Sequence, residues 1–217
     1  DPANEDEIAN TTKVMGGEDW KLWTDLLLEK NLLADGCMNI AYSYIGPEVT
    51  QPIYRNGTIG RAKEDLEHTA NQISEKMKEK CSGRAYVSVN KAVVTQASSA
   101  IPVVPLYVSL LFKVMRDKGS HEGCIEQIVR LFNERLYRQQ GDIPVDSFGR
   151  IRLDDWEMDP EVQAKVIESW GSITTENLFE TTNFKEYQQE FLKLLGFGFK
   201  EVDYGKDVDL VNPFDSC

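Results

Sequence analysis

Histidine and cysteine are scarce in this chain, two and four among 217 residues. Two histidines remove most zinc sites and make a histidine-based nucleophilic triad a thin option. Cys37, Cys81, Cys124 and Cys217 lie far apart, with no Cys-x-x-Cys, so zinc ribbons and thioredoxin-type motifs are absent. A secreted disulfide framework would be denser; the spacing points to reduced thiols in a soluble protein of a reducing compartment, mitochondrial or cytoplasmic. Positive charge is also short: 24 Lys and Arg against 36 Asp and Glu leave a net charge of −12. Nucleic acid and anionic membrane surfaces both call for a basic stripe, so both are disfavoured as partners. Long apolar runs are missing too. The longest, residues 101–112, carries Pro102 and Pro105 and is too short to span a bilayer. No signal peptide is visible. The chain starts Asp1-Pro2-Ala3 rather than at a methionine, which raises the expectation that it is a piece of something larger.

What remains is ordinary for a globular domain, 41% hydrophobic and 28% charged, and long enough to bury a core without staples. Asn4 with Glu7 is a capping-box pattern and predicts a short helix through about Lys13. A second helix is expected from Glu18 to Leu33, with Trp20, Trp23 and Leu27 on one face. Residues 38–45 form a short apolar run that reads as a buried strand, stopped by Gly46-Pro47. Residues 51–58 look irregular. From Thr58, Ile59, Ala62, Leu66, Ala70, Ile73 and Met77 recur at three and four, an amphipathic helix. Ala85, Val87 and Val89 make a second buried strand. A polar loop, 95–99, leads into a mainly apolar helix ending near Gly119. Ile125, Ile128, Val129, Phe132 and Leu136 predict another amphipathic helix. Ile151 and Leu153 suggest a short surface strand. Helices are expected around Val162–Trp170 and Phe184–Leu195, then a tail from Asp203.

Strands separated by helices read as α/β with parallel pairing. Only two strands are convincing, and two strands do not make an independent doubly wound sheet. The rest of the sheet is expected from elsewhere. With no repeat and no linker, residues 1–217 read as one segment.

The densest unusual chemistry lies at Tyr42, Tyr44, Tyr54 and Lys63. A phenol near a strand end can donate to a developing enolate, and an ammonium can favour ionisation of that phenol or hold a cofactor ribose. Tyr54 and Lys63 are nine positions apart, about 900° on a regular helix and therefore opposite faces. Asn56-Gly57 and Gly60 allow a break that would put Tyr54 on a turn ahead of Lys63. The residues alone leave two readings open: a structural tyrosine with a solvated lysine, or a site. His121 shows no partner in the sequence and reads as structural. Asp154-Asp155 lacks a third ligand, so no metal is expected.

Tyr-x8-Lys, the stretch 41–63, Val93-Val94-Thr95-Gln96-Ala97-Ser98-Ser99-Ala100-Ile101-Pro102 and Gly119-Ser120-His121-Glu122-Gly123-Cys124-Ile125-Glu126-Gln127 together resemble the trans-2-enoyl-CoA reductases. That family takes in the long enoyl-acyl-carrier-protein reductases. Met15-Gly16-Gly17-Glu18-Asp19-Trp20 and Asp154-Asp155-Trp156-Glu157 fit the same family. The resemblance implies the C-terminal half of a Rossmann-type, short-chain-dehydrogenase-like doubly wound fold with extra helices. It implies hydride transfer from NADH, or NADPH, to the β-carbon of a trans-2-enoyl thioester carried on CoA or acyl carrier protein, in fatty-acid synthesis. Tyr54 then donates to the thioester oxygen, Lys63 supports Tyr54 and the cofactor ribose, and Tyr44 matches a second tyrosine beside the thioester. Thr95 matches the position that meets the nicotinamide amide or pyrophosphate, and it reads equally as a helix N-cap. Val104, Phe112 and Tyr187 match an acyl pocket, and apolar residues at that spacing read equally as plain core.

One departure matters. A dinucleotide fold needs a glycine-rich turn between a first strand and a helix N-terminus. Neither Gly57-x-x-Gly60 nor Gly196-Phe197-Gly198 has that context. Three readings follow: the catalytic and substrate half of a reductase whose nucleotide-binding half is the same or a separate chain; a non-catalytic relative serving as an accessory subunit; or an independent acyl-CoA binding module, for which an exposed sheet edge would need covering.

Overall fold

A computed structural model describes residues 3–101, 103–137 and 141–207. Its centre is a sheet of three parallel strands, β1 (Met38–Ser43), β2 (Arg84–Val89) and β3 (Ile151–Arg152), in that spatial order. The register pairs Ala41 with Val87 and Ser88 with Ile151. Parallel sheets need cover on both faces, and the alternation of β2 shows how it is supplied. Val87 and Val89 meet Leu66 and Ala70, and Ala85 meets Ile73 and Met77, all from α3 (Thr58–Cys81). Tyr86 points the other way, with Met38 and Ile40, onto Leu131, Leu136, Ile151 and Leu153.

A second apolar body surrounds α5 (Val104–Lys118), which is buried nearly all round. A helix with no polar face has to be covered on every side. Val162 and Val166 of α7 (Pro160–Trp170) and Tyr187 of α9 (Phe184–Leu194) supply that cover. Gly119 closes α5 in the left-handed conformation, φ 75°, where glycine carries no Cβ penalty. The expected capping box opens α1 (Glu5–Met15), Asn4 Oδ1 accepting from Glu7 N–H at 2.9 Å.

The expectations were incomplete in four places. The residues around Ile151 form a third sheet strand rather than a surface strand, and Ile151 and Leu153 are wholly buried. Two residues of pairing are too short for a periodicity signal. The polar loop after Val94 contains a short helix, α4 (Gln96–Ala100), and a further one, α8 (Leu178–Thr181), precedes α9. The second helix, α2 (Glu18–Glu29), ends early and turns Trp23 to solvent. It faces inward through Trp20 and Thr24, which Asn39 of β1 clamps: Trp20 Nε1 donates to Asn39 Oδ1, and Asn39 Nδ2 donates to Thr24 Oγ1.

The fourth difference is α6 (Cys124–Arg130), continued by a π-helical turn, Leu131–Leu136. Its apolar stripe of Ile125, Val129 and Phe132 faces outward, while Gln127 and Arg130 are buried. Arg130 binds both oxygens of Glu122, at 2.7 and 2.9 Å, and donates to the Leu153 carbonyl. Gln127 satisfies the Lys91 backbone, accepting from its N–H and donating to its carbonyl. Hydrophobic period located the helix but not its inner face, because polar partners set that face.

Candidate active site

The carboxyl ends of parallel strands share one edge of the sheet, where ligands of α/β folds bind. Here the chain leaves β1 through Tyr44 and turns at Gly46, φ 79°. A Cβ at Gly46 would lie 2.6 Å from Thr50 Oγ1 and 3.1 Å from the Tyr44 ring, so the turn has no room for a side chain. Thr50 donates to the Pro47 carbonyl, and its own carbonyl accepts from Tyr54 N–H at 3.0 Å. Gly57 N–H donates to the Tyr54 carbonyl, and α3 begins one residue later. A Cβ at Gly60 would overlap the Arg55 carbonyl oxygen. The turn bearing Tyr54 is thus seated directly on the first turn of the helix bearing Lys63.

Tyr54 is 7% exposed, with its ring edge-on to Tyr44 at 5.3 Å between centroids. Its hydroxyl is not among the buried polar atoms without partners, and none of the hydrogen bonds among the described residues involves it. It therefore opens onto the site. Burial pushes its pKa up to about 12, so the phenol stays a neutral donor across physiological pH. Lys63 is half-buried and makes no ion pair among the described residues; burial pushes its ammonium down, with Glu67 opposing. Burial alone shifts Tyr54. The two residues therefore share a turn–helix junction without a direct bond between them.

The structure joins Tyr44 to a residue the sequence had not singled out for chemistry. Its hydroxyl donates to Oε1 of Glu157 at 2.9 Å. Tyr107 donates to the same oxygen at 2.7 Å, and Ala92 N–H to Oε2 at 2.7 Å. Glu157 has no solvent exposure, and burial raises its pKa against these bonds. Burial first, and Glu157 second, hold the Tyr44 phenol well above its ordinary value. Lys91 lies beside this cluster, 1% exposed, with Nζ donating to the Ala92 carbonyl at 2.8 Å and lying 5.3 Å from the Phe112 ring centre. Burial pushes it down to about 8. The sequence signal for this cluster was slight: one acid and one lysine beside apolar runs.

Thr95 caps α4, its Oγ1 accepting from Ser98 N–H at 3.0 Å while Ser98 Oγ accepts from Thr95 N–H. The N-cap reading holds, and the exposed Thr95 hydroxyl keeps its proton available. Val104 and Phe112 lie in the packed core around α5, Phe112 with its ring against His121 at 4.5 Å. Tyr187 lines an apolar cavity of about 570 Å³ with Ser99, Pro105, Phe184 and Phe191. A neighbouring cavity of about 550 Å³ shares Ser99, Pro105 and Phe184 and extends to Ile173 and Leu178. Val103 lines it with φ 71°, a strained conformation for a β-branched residue, costing about 1–3 kcal/mol. Asp154 is held by Arg152, and Asp155 by Arg130 and Arg135. Among the described residues no cluster of His, Cys, Asp and Glu is arranged to hold a metal ion, and no helix is long and apolar enough to cross a membrane.

Parallel strands flanked by helices, with polar groups gathered at their carboxyl ends, place the chain in the Rossmann-type α/β class. The profile of the trans-2-enoyl-CoA reductase catalytic region matches residues 1–137, and that of the enoyl reductase FAD binding domain matches residues 145–208. The trans-2-enoyl-CoA reductase (NADH) of Brachyspira hyodysenteriae is 56% identical over 210 residues, covering 97% of this chain and 53% of its own length. The enoyl-acyl-carrier-protein reductase (NADH) of Flavobacterium johnsoniae is 59% identical over 210 residues, covering 97% and 52%. The crystal structure of Clostridium acetobutulicum trans-2-enoyl-CoA reductase in complex with NADH superposes with a TM-score of 0.93 at 50% identity, covering 95% of this chain and 52% of that one. The Treponema denticola enzyme in complex with NAD superposes at 0.89 and 53% identity, covering 96% and 51%. The chain belongs to the trans-2-enoyl-CoA reductase family. It spans about half the length of the relatives it matches.

Two cofactors are implied by these names, and the residues fit them differently. A nicotinamide needs groups at the carboxyl ends of the strands, and the Lys63 ammonium and the Thr95 hydroxyl are of the right kind there. A pyrophosphate cradle is a different matter. The strand-to-helix connections 90–95 and 153–159 contain no glycine, and 44–57 is a long double turn. The residues present thus fit the nicotinamide end alone. A flavin is not accommodated: within 145–207 no glycine-rich turn joins a strand to a helix, and the inner faces of α7 and α9 are taken up by α5.

Proposed function

We propose that residues 1–217 are one catalytic and substrate-binding segment of an NADH-dependent reductase acting on trans-2-enoyl thioesters, with enoyl-CoA as the substrate. Bound NADH supplies the hydride that reaches the β-carbon. As charge gathers on the thioester oxygen, Tyr54 donates its hydrogen bond to that oxygen. Its high pKa keeps the proton on the phenol until it is needed, and one such donor lowers the barrier by about 3–4 kcal/mol. Lys63, with no carboxylate of its own among the described residues, holds the cofactor ribose. Thr95 meets the nicotinamide amide. The trough beside Tyr187 and Phe184 takes the acyl chain away from water, with Val104 and Phe112 forming the packed wall behind it. A nucleotide-binding half, the same chain or another, completes the sheet and the pyrophosphate cradle. Free Cys37, Cys81 and Cys124 support a reducing compartment, mitochondrial or cytoplasmic.

The observation that carries this reading is the Tyr54 hydroxyl, open to the site and without a partner among the described residues, at the carboxyl edge of a parallel sheet. NADH oxidation with crotonyl-CoA tests it in the full-length protein carrying this chain. Turnover that collapses in Tyr54→Phe supports the assignment, and absence of turnover in the wild type refutes it.

A further inference from the structure

Glu157 is a fully buried carboxylate that this chemistry leaves unused. Three donors converge on its carboxylate, two phenols on Oε1 and one backbone N–H on Oε2. The nearest cation, Lys91, directs its hydrogen bond to the Ala92 carbonyl instead. Burying an anion with no directly bonded cation is costly. Packing alone would be served better by an apolar side chain, and bracing α5 and the Ala92 backbone needs only the bonds from Tyr107 and Ala92. The bond from Tyr44 is the one that reaches the site, because the ring of Tyr44 is also the surface on which Tyr54 rests.

A phenol has one proton. While that O–H points at Glu157, the Tyr44 oxygen offers only lone pairs in every other direction. We propose that Glu157 is a positioning residue of the reductase site: by accepting the hydrogen bond of the Tyr44 hydroxyl it fixes that phenol as an acceptor towards the site and holds its ring against Tyr54. The proposal rests on the reductase reading above and adds to it a role for Tyr44. Tyr44 does not donate to the thioester oxygen, which is itself an acceptor; it receives a bond from a hydroxyl or N–H of substrate or cofactor. Tyr54 is left as the single phenolic donor.

Glu157→Gln reverses this polarity. The Ala92 N–H still needs an acceptor, so the amide oxygen turns to Ala92 and the amide NH₂ faces the phenols. Tyr44 must then accept from the amide, and its proton swings toward the site. The test compares Glu157→Gln, Tyr44→Phe, their double variant and Tyr107→Phe, in the full-length protein carrying this chain. Tyr107→Phe removes the neighbouring bond to the same carboxylate oxygen and controls for loosened packing. We expect kcat for crotonyl-CoA reduction to fall about 100-fold in Glu157→Gln. The double variant should behave as Tyr44→Phe alone, because groups acting as a unit are not additive. Tyr107→Phe should keep its kcat. A readout independent of turnover is phenolate absorbance: losing the carboxylate charge lowers the pH at which Tyr44 ionises, a step present in Glu157→Gln and absent from the double variant. Additive losses in kcat, an equal fall in Tyr107→Phe, or an unmoved phenolate step would each overturn the proposal. Should Glu157→Gln fail to fold, Tyr44→Phe against Tyr107→Phe decides: unequal kcat supports the role and equal kcat overturns it. A wild type inactive on every enoyl thioester would overturn the reductase reading, and the phenolate step would still decide the Glu157–Tyr44 bond.

Discussion

Tyr54 rests its ring edge-on against Tyr44, 73° between the planes and 5.3 Å between centroids. One ring comes from the exit of β1 and the other from the turn that opens α3, so their contact reports whether that turn is in place. An edge-to-face pair adds about 0.5–1.5 kcal/mol beyond the area it buries. Here it also points one hydroxyl at the site and the other at Glu157.

The seat of that turn is Gly60. A methyl group there would overlap the Arg55 carbonyl, and backbone cannot swing aside as a side chain can. Gly60→Ala should therefore lift residues 51–57 off α3, lowering kcat while the rest of the fold persists. Loss of the Tyr54 environment, read by tyrosine fluorescence or amide exchange confined to this turn, checks it. Unchanged kcat would show that the close approach does not position Tyr54.

Lys91 should make stability depend on pH in an alkaline window. Its pKa falls from 10.5 to about 8 on burial. Between these values the unfolded chain binds a proton that the folded chain does not, so stability rises with pH across the window. Below about 8 both states are charged and the cost of burying the ammonium is felt in full. Lys91→Met should abolish the rise, a difference of roughly 3 kcal/mol between the ends of the window. Urea midpoints of both proteins from pH 7 to 11 check it. The slope carries the test, since losing the bond to Ala92 shifts only the offset.

Tyr187 buries a hydroxyl with no hydrogen-bond partner among the described residues. Such a group costs roughly 1–3 kcal/mol, so Tyr187→Phe should raise the urea midpoint. A lower midpoint would mean that the hydroxyl is satisfied in solution.

The sequence showed much of the scaffold and only the outline of the site. Apolar spacing from Ile59 to Met77 placed α3, and Asn4 with Glu7 placed the start of α1, because both signals are local. Ile151 was read at the surface because a strand of two residues has no period to measure; only its pairing with Ser88 identifies it. The inner face of α6 was missed because Arg130 and Gln127 are buried by partners far along the chain. The same reason hid Glu157. Its bond to Tyr44 spans 113 positions, and nothing near either residue announces the other. Tyr54 and Lys63 stood out by type and spacing, and the family resemblance gave them their roles; the turn that seats one against the helix of the other became visible only through Gly46 and Gly60.

The role of Tyr54 is tested most directly by steady-state kinetics of Tyr54→Phe with NADH and crotonyl-CoA, in the full-length protein, beside its urea midpoint. Removing one donor to the thioester oxygen should lower kcat by about 100- to 1,000-fold and leave the midpoint nearly unchanged, since the lost hydroxyl has no partner among the described residues. A variant that turns over as fast as the wild type would contradict the account.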